Sequence, residues 1–393
     1  MKPAILFDRS RVTCDWECPR KRYWLYEYEG RGIISGDIHR EYQMGTVLHT
    51  GLADIAKQYQ AGAVDIDSIA TTAQRQMFET LMAQMAGENA VESQTFALEQ
   101  AALVEGLLRG FYKHVWPKIT AQYPLIMAIE QEMTYEYHGV TFMARPDLVM
   151  SDAEGNVWYL EYKSTSSKKE DWVNSWDTAV QLHSSIRAIE ATIKEKVTGV
   201  VVQGLYKGFK SYGKQSSPFC YSYQKKGNPP FSKDEIQYEY KAGFKRYPTW
   251  ELEGGVKRWI EGMPEAVLAD QFPQTPPIFI NDDLVDAFFN QCSVREFIIH
   301  RTSEELTITG TDETLLNTTF PQHFDQCRPA WGHACPYRQL CHGRADDPLN
   351  QGYSYRVPNH ELEVTHQSLA EDGVKDWDDV KVELNANELC EGS

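Results

Sequence analysis

The chain has 393 residues, of which 42% are hydrophobic, and a formal net charge of −17. This hydrophobic content is sufficient for the core of one large domain or two ordinary ones, and no apolar run is long enough to span a bilayer. The N-terminal sequence MKPAILFDRS lacks the length and the cleavage site of a secretory signal, so we expect a soluble cytoplasmic protein.

Charge is distributed unevenly along the chain. The net negative charge argues by itself against a nucleic-acid partner, because an acidic surface repels phosphates. Two segments in the middle of the chain, GLYKGFKSYGK and YSYQKKGNPPFSK, are nevertheless basic and rich in aromatic residues. They indicate either a local positive groove or solvated loops. The C-terminal sequence EDGVKDWDDVKVELNANELCEGS is acidic and contains few large apolar residues.

The first third of the chain is predicted to be mainly helical. Apolar residues recur with helical spacing over residues 44–60, 65–86 and 95–118. Pro117 is expected to stop the third of these helices. Alternating β-forming residues then predict three consecutive antiparallel strands between residues 127 and 164.

Helices and strands also mix in the remainder of the chain. The pattern predicts a helix over residues 176–196, a buried strand over 197–208, and helices near 253–263 and 282–301. Helices followed by strands, then a helix and a further strand, indicate an α/β core with a mixed sheet.

Three charged side chains in the predicted strands point to metal chemistry. Alternation places Glu161 and Lys163 on the same face of one strand, and a turn brings Asp147 beside Glu161. Two neighbouring carboxylates repel each other unless a cation lies between them. Mg²⁺ prefers such oxygen ligands and activates water for attack on a phosphodiester, and a lysine could stabilise the developing charge. The alternative is an exposed hairpin with a surface Glu–Lys pair.

Five of the eight cysteines lie in two clusters, CDWEC near the N-terminus and CRPAWGHACPYRQLC around residue 335. In an intracellular chain, clustered cysteines indicate metal ligands more than disulfides. Four thiolates form a closed site for zinc or for an iron–sulfur cluster, and the spacing alone does not choose between them. Such a site would join the first and last folded segments, so that metal binding would be linked to folding.

These motifs together resemble a known family. The sequence RPD…EYK, followed by a helix containing Gln181, resembles the PD-(D/E)XK nuclease superfamily. Three further motifs resemble its RecB-like branch, which includes the CRISPR-associated exonucleases with an iron–sulfur cluster. They are GTVLHTGL, which contains His49, CPRKRYW at the N-terminal cysteines and CPYRQLC at the C-terminal cysteines. The resemblance extends over roughly residues 14–345.

The resemblance implies a restriction-endonuclease-like mixed β-sheet core flanked by helices, with an N-terminal helical insertion. It implies that Mg²⁺ or Mn²⁺ is bound by His49, Asp147, Glu161 and the carbonyl of Tyr162. Lys163 would then be the catalytic lysine, and Gln181 would support it or contact the DNA backbone. Glu132 is similar to a less constant acidic position of the branch.

The resemblance also implies a [4Fe–4S] cluster that joins the N- and C-terminal parts of the chain. Its expected ligands are Cys18, Cys327, Cys335 and Cys341. Cys14 is the alternative to Cys18, which the CPRKRYW context favours, and structural zinc is the alternative to the cluster.

The sequence therefore predicts a metal-dependent DNA nuclease, an exonuclease that acts on DNA ends or single strands. Residues 1–345 would form the nuclease domain, with a helical part at about 44–120 and a catalytic core at about 125–210. Residues 346–393 would form an acidic tail, disordered or bound to a protein partner. A single-stranded end could contact aromatic and basic side chains, or these could simply pack: Tyr206, Lys207, Phe209, Lys210 and Tyr212.

Two other functions fit the same sequence. One is a non-catalytic binding or assembly module that keeps the nuclease fold within a DNA repair, replication or defence complex. The complete set of Asp147, Glu161 and Lys163 argues against it, because a degenerate site usually loses one of these residues. The other is a regulator whose acidic tail mimics nucleic acid or recruits a protein.

Overall fold

The computed structural model describes residues 5–35, 40–85, 90–167, 169–176, 180–210, 219–225, 244–251, 256, 259–260, 262–309, 312–328, 334–343 and 348–357. The strands within these residues, numbered in chain order, are β1 (Ile5–Phe7), β2 (Ile33–Ser35), β3 (Leu125–Ile129), β4 (Met133–Tyr137), β5 (Val140–Ala144), β6 (Leu148–Ser151), β7 (Val157–Thr165), β8 (Val197–Tyr206), β9 (Phe219–Lys225), β10 (Phe244–Glu251), β11 (Ile278–Phe279) and β12 (Tyr353–Tyr355).

The α-helices whose bounds lie within these residues are α1 (Arg9–Glu17), α2 (Pro19–Arg22), α3 (Arg40–Gln60), α4 (Ile66–Gln84), α5 (Ala90–Gly110), α6 (Trp116–Gln122), α7 (Lys169–Asn174), α8 (Val180–Ile193), α9 (Glu265–Gln271), α10 (Asp282–Thr309), α11 (Glu313–Thr319), α12 (Phe324–Cys327) and α13 (Arg338–Cys341). No helix among the described residues has the length and apolar character needed to cross a membrane.

A five-stranded mixed sheet lies at the centre of the fold, in the order β11-β8-β7-β6-β3. Strand β7 pairs antiparallel with β6 and parallel with β8. The parallel pair requires a crossover connection, which the helices α7 and α8 supply. This arrangement confirms the α/β fold class with a mixed sheet.

Helices cover both faces of the central sheet, and β7 carries buried apolar side chains on both of its faces. Leu160 and Tyr162 pack in one core cluster with Leu52 of α3 and other side chains of the helical region. Tyr159 packs in a second cluster with Ile186 of α8. Strands buried on both faces are typical of sheets with helices on each side.

The pairing of the predicted strands differs from the prediction. Residues 125–165 form five strands in two sheets, rather than three consecutive antiparallel strands. Strands β4 and β5 form a hairpin that joins β1 in a separate sheet, and β3 pairs with β6 beyond them. Alternation in a sequence identifies strands, but it does not specify which strands pair.

The predicted helices of the N-terminal third are confirmed as α3, α4 and α5, but Pro117 does not stop the third one. After α5 the chain continues through a wider turn at Phe111–Val115 into α6. Pro117 lies in the first turn of α6. The N–H groups of a first turn have no acceptor within the helix, so a proline there costs no hydrogen bond of α6.

The later predicted elements have different outcomes. The helix over 176–196 and the buried strand over 197–208 are confirmed as α8 and β8, and the helix over 282–301 is confirmed as α10. The helix near 253–263 falls mostly outside the described residues.

The C-terminal segment returns to the N-terminal segment. Strand β12 pairs antiparallel with β2, and the Tyr337 hydroxyl donates a 2.7 Å hydrogen bond to the Ile33 carbonyl. This strand lies beyond residue 345, the predicted end of the nuclease domain; its three residues are too few to produce a recognisable alternation. The remainder of the predicted acidic tail, residues 358–393, lies outside the described residues.

Candidate metal centre

Asp147 is held beside the middle of β7 by the pairing of two strands. Pro146, which has no N–H group to donate, separates β5 from β6, and β6 begins directly after Asp147. Leu148 pairs with Leu160, so Asp147 lies next to the following residues of β7. Its Oδ2 accepts a 2.6 Å hydrogen bond from the backbone N–H of Tyr162, and only 7% of Asp147 is exposed.

Potential metal ligands from three separate parts of the chain lie close together. One ligand atom each from His49, Glu130 and Asp147 lies within 4.8 Å of the others. Nδ1 of His49 is 2.9 Å from Oδ1 of Asp147 and 3.9 Å from Oε1 of Glu130. Glu130 follows β3 in a left-handed conformation with φ of 46°, and its N–H donates to the Asp147 carbonyl at 3.2 Å.

The electrostatics of this group favour a bound cation. Burial and the charge of Asp147 raise the pKa of Glu130 to about 7. Burial lowers the pKa of His49, but the charge and hydrogen bond of Asp147 outweigh it, so that this pKa lies above its ordinary value. Like charges this close destabilise each other until a cation intervenes. An imidazole nitrogen and carboxylate oxygens are suitable ligands for Mg²⁺ or Mn²⁺.

The Glu161 carboxylate points to cationic and hydroxyl partners. Arg9 donates to its Oε1 at 2.7 Å, Lys163 forms an ion pair with the same oxygen, and the Tyr159 hydroxyl donates to Oε2. Burial raises the pKa of Glu161, but the charges of Lys163 and Arg9 lower it far more, so the pKa lies well below its usual range. Glu161 is therefore an anion, with 2% of its side chain exposed.

The residues predicted from the sequence are brought together only in part. His49 and Asp147 are in direct contact, and Glu161 and Lys163 lie beside them. Glu161 does not belong to the three-residue ligand group. The Tyr162 backbone contacts Asp147 through its N–H, and the Tyr162 ring packs against Phe111 in the core.

Glu130, and not Glu132, belongs to the three-residue ligand group. Glu132 instead forms a 2.9 Å ion pair with Arg145. Glu130 follows Ile129, which pairs with Leu148 of β6, and this pairing puts it next to Asp147. In the sequence, Glu130 could be recognised only as an acidic residue at the end of a strand. That pattern indicates a metal ligand only when the partner strand is known.

Gln181 lies in α8, after β7 in the chain as predicted. Its side chain is outside the described part of the chain, so its predicted role stays a prediction.

The metal centre opens into a cleft with a volume of about 910 Å³. Four basic residues line this cleft, namely Arg9, Lys57, Arg145 and Lys163, together with the acidic residues Asp54, Glu130 and Glu132. Arg145 is paired with Glu132, and both Arg9 and Lys163 are paired with Glu161. A divalent cation bound at the carboxylates would add the positive charge that a polyanionic substrate requires.

Comparison with known protein families identifies the chain. A family model of the PD-(D/E)XK nuclease superfamily matches residues 10–342, which is well over half of the chain. The chain belongs to the PD-(D/E)XK nuclease superfamily. The mixed sheet flanked by helices is consistent with the restriction-endonuclease-like fold of this superfamily. A comparison with curated proteins finds no matching relative.

In this PD-(D/E)XK protein, the predicted cysteines from the two ends of the chain lie in one region. The backbone N–H of His323 donates to Cys18 Sγ at 3.5 Å, and Cys327 Sγ contacts the His323 carbonyl at 3.9 Å. The N–H of Cys335 donates to the Cys327 carbonyl at 3.1 Å. Trp24, next to the N-terminal cysteines, donates to Cys341 Sγ at 3.4 Å.

The thiols of this region influence one another. Burial raises the pKa of Cys341 to about 11, and Cys335 and Cys18 add to the increase. All four predicted ligands, and also Cys14, are free cysteines. A thiol becomes a ligand only as a thiolate, so a positive metal centre would relieve the mutual destabilisation of these groups.

Proposed function

We propose that the chain is a metal-dependent deoxyribonuclease of the RecB-like branch, an exonuclease that hydrolyses phosphodiester bonds at DNA ends or in single strands. One observation carries the proposal. Ligand atoms of His49, Glu130 and Asp147 converge within 4.8 Å, and Lys163 and a cleft lined by basic side chains lie next to them. This combination of metal ligands, a cation and an open cleft suits phosphodiester hydrolysis.

Each residue at the centre has a proposed role. His49, Glu130 and Asp147 would hold Mg²⁺ or Mn²⁺, with Glu161 and the Tyr162 carbonyl as the further ligands that the family resemblance implies. The bound ion would supply an activated water and neutralise charge on the phosphate. Lys163 would stabilise the charge that develops on the phosphate oxygens. Gln181 would support Lys163 or contact the DNA backbone.

The DNA strand would enter along this cleft and reach the segment after β8. Lys210 Nζ lies 3.6 Å from the centre of the Tyr206 ring, so a cation and an aromatic ring are already combined there. Phe209 packs edge-on against Trp259 at 4.8 Å, which favours a packing role for it. Tyr206, Lys207 and Lys210 are therefore the proposed strand contacts, and Tyr212 lies outside the described residues.

A [4Fe–4S] cluster held by Cys18, Cys327, Cys335 and Cys341 is proposed as the link between the two ends of the chain. The contacts among these cysteines do not choose between a cluster and structural zinc, and the family resemblance is what favours the cluster. The contact between Cys18 and His323 supports Cys18 over Cys14.

The decisive experiment is digestion of end-labelled DNA with Mg²⁺, with Mn²⁺ and with a chelator. Wild-type protein should cut only with metal, and Asp147→Asn should abolish cutting. The non-catalytic assembly module predicts no metal-dependent cutting by either protein. If Asp147→Asn cuts DNA like wild type, the proposal is wrong. Deleting residues 358–393 should leave cutting intact, whereas a regulator acting through its acidic tail should lose its function.

A further inference from the structure

Arg9 lies in the cleft, but the proposed mechanism does not use it. It is the first residue of α1 and follows Asp8, whose side chain caps the helix by accepting from the Arg11 N–H at 2.9 Å. Just before it, β1 pairs with β5 through Phe7 and Phe142. The backbone of Arg9 is therefore fixed from both sides, while its side chain reaches the cleft.

Two cations share one oxygen of Glu161. Arg9 and Lys163 both contact Oε1, and the Tyr159 hydroxyl contacts Oε2. If Glu161 also bound a divalent cation, that ion would lie close to two further positive charges. Repulsion of this kind is strong away from bulk water. The arrangement becomes favourable when one of the two side chains moves away.

Arg9 is the side chain with room to move. Its exposed fraction is 39%, compared with 19% for Lys163, and it lines the open cleft. A guanidinium that leaves a carboxylate needs another anion of similar shape. A phosphate offers two oxygens to the same planar fork of donors, so a nucleic-acid backbone in the cleft would supply that anion.

We infer that Arg9 is a phosphate-binding residue, which exchanges the Glu161 carboxylate for a backbone phosphate of the substrate when the metal centre is loaded. The inference rests on the proposed nuclease function and deepens it. Arg9 lies outside residues 10–342, so the match to the family model does not assign this role. Through Arg9, binding of a metal ion at the centre is therefore coupled to binding of the nucleic acid.

DNA binding measured over a range of salt concentrations tests the inference. Ca²⁺ replaces Mg²⁺, a gel confirms that the labelled strand stays intact, and fluorescence anisotropy reports affinity. Arg9→Met should weaken binding about tenfold or more, because a charge-assisted contact is lost. The slope of log affinity against log salt should fall by about 0.7–0.9, as expected for one phosphate contact.

The matched control is Arg109→Met. Arg109 pairs with Glu105 at 2.8 Å and with Asp67, so this variant also removes one arginine from a carboxylate pair. Its affinity and salt slope should equal those of wild type. Arg9→Lys should keep the slope but bind more weakly, since a point charge lacks the planar fork. Melting temperatures confirm folding, and Arg9→Lys provides the test if Arg9→Met does not fold.

The Glu161→Gln variant distinguishes two roles of Arg9: binding of a substrate phosphate, and neutralisation of Glu161 alone. If Arg9 binds phosphate, Arg9→Met weakens DNA binding in this background as well. If Arg9 only neutralises Glu161, Arg9→Met has no further effect there, and this result overturns the inference. A wild-type salt slope in Arg9→Met also overturns it. Failure of the wild-type protein to bind DNA would instead refute the proposed function itself, and the inference with it.

Discussion

Nδ1 of His49 lies 2.9 Å from Oδ1 of Asp147, although 98 positions separate the two residues in the chain. Helix α3 carries His49, and Asp147 directly precedes β6. Leu48 and Leu148, the neighbours of these two residues, are buried in the same core cluster. The contact between the two potential ligands therefore forms only when the helical region packs on the central sheet, and metal binding should stabilise that packing.

Metal binding should depend on Asp147 and not on acidic residues elsewhere in the cleft. Asp147→Asn removes a charge from the three-residue group, so its Mn²⁺ affinity should fall by about 100-fold or more, since even residues behind the ligands cost 10–100-fold. Asp54 also lines the cleft but lies outside the group, and Asp54→Asn is the control with near wild-type affinity. Isothermal titration calorimetry measures both. Equal losses in the two variants would contradict the ligand assignment.

Metal affinity should increase as the pH rises through about 7. The pKa of Glu130 is raised to about 7 and that of His49 is also raised, so below these values protons compete with the ion. Binding near pH 7 should therefore release protons, which calorimetry in buffers of different ionisation enthalpy detects. Glu130→Gln should release fewer protons. Affinity that is independent of pH between 6 and 8 would argue against this ligand group.

Lys163 should affect the rate of cutting more than metal binding. Lys163→Met removes a cation beside the centre, and cutting should fall by about 10²–10⁴-fold, a typical contribution of one positioned catalytic group. Mn²⁺ affinity should change much less. Lys57→Met, which removes a cation from another part of the same cleft, is the control and should retain most of the activity. Similar rates for the two variants would refute a catalytic role for Lys163.

The chemistry of this centre was more predictable from the sequence than its geometry. Glu161 and Lys163 are two residues apart on β7, so strand alternation alone puts them on one side. Glu130 depends on the pairing of β3 with β6 across an intervening hairpin, which no local pattern records. Arg9 depends on β1, which is three residues long and therefore too short to show a periodicity.

The buried ion pair between Arg22 and Glu296 should be important for stability. The two side chains are 1% and 4% exposed, and Nη2 of Arg22 lies 2.8 Å from Oε2 of Glu296. Glu296→Ala would leave the buried guanidinium with Glu27 as its remaining acidic partner, at 2.9 Å, so the unfolding free energy should fall by about 1–3 kcal/mol. Glu265→Ala breaks a solvent-exposed pair with Lys118, so its urea midpoint should stay close to wild type. Equal midpoints for the two variants would contradict the prediction.

The thiol region should control both iron content and the joining of the chain ends. Cys335→Ser should lose most of the iron and sulfide of anaerobically purified protein and lower its melting temperature, because four thiolates are needed to close the site. Cys292→Ser is the control: Cys292 is buried beside Phe289 in a different core cluster, so iron should be retained. Cys14→Ser distinguishes the two N-terminal candidates, and retained iron would favour Cys18. If the wild-type protein contains zinc and no sulfide, the site binds zinc and not a cluster. If Cys335→Ser keeps its full iron content, Cys335 is not a ligand.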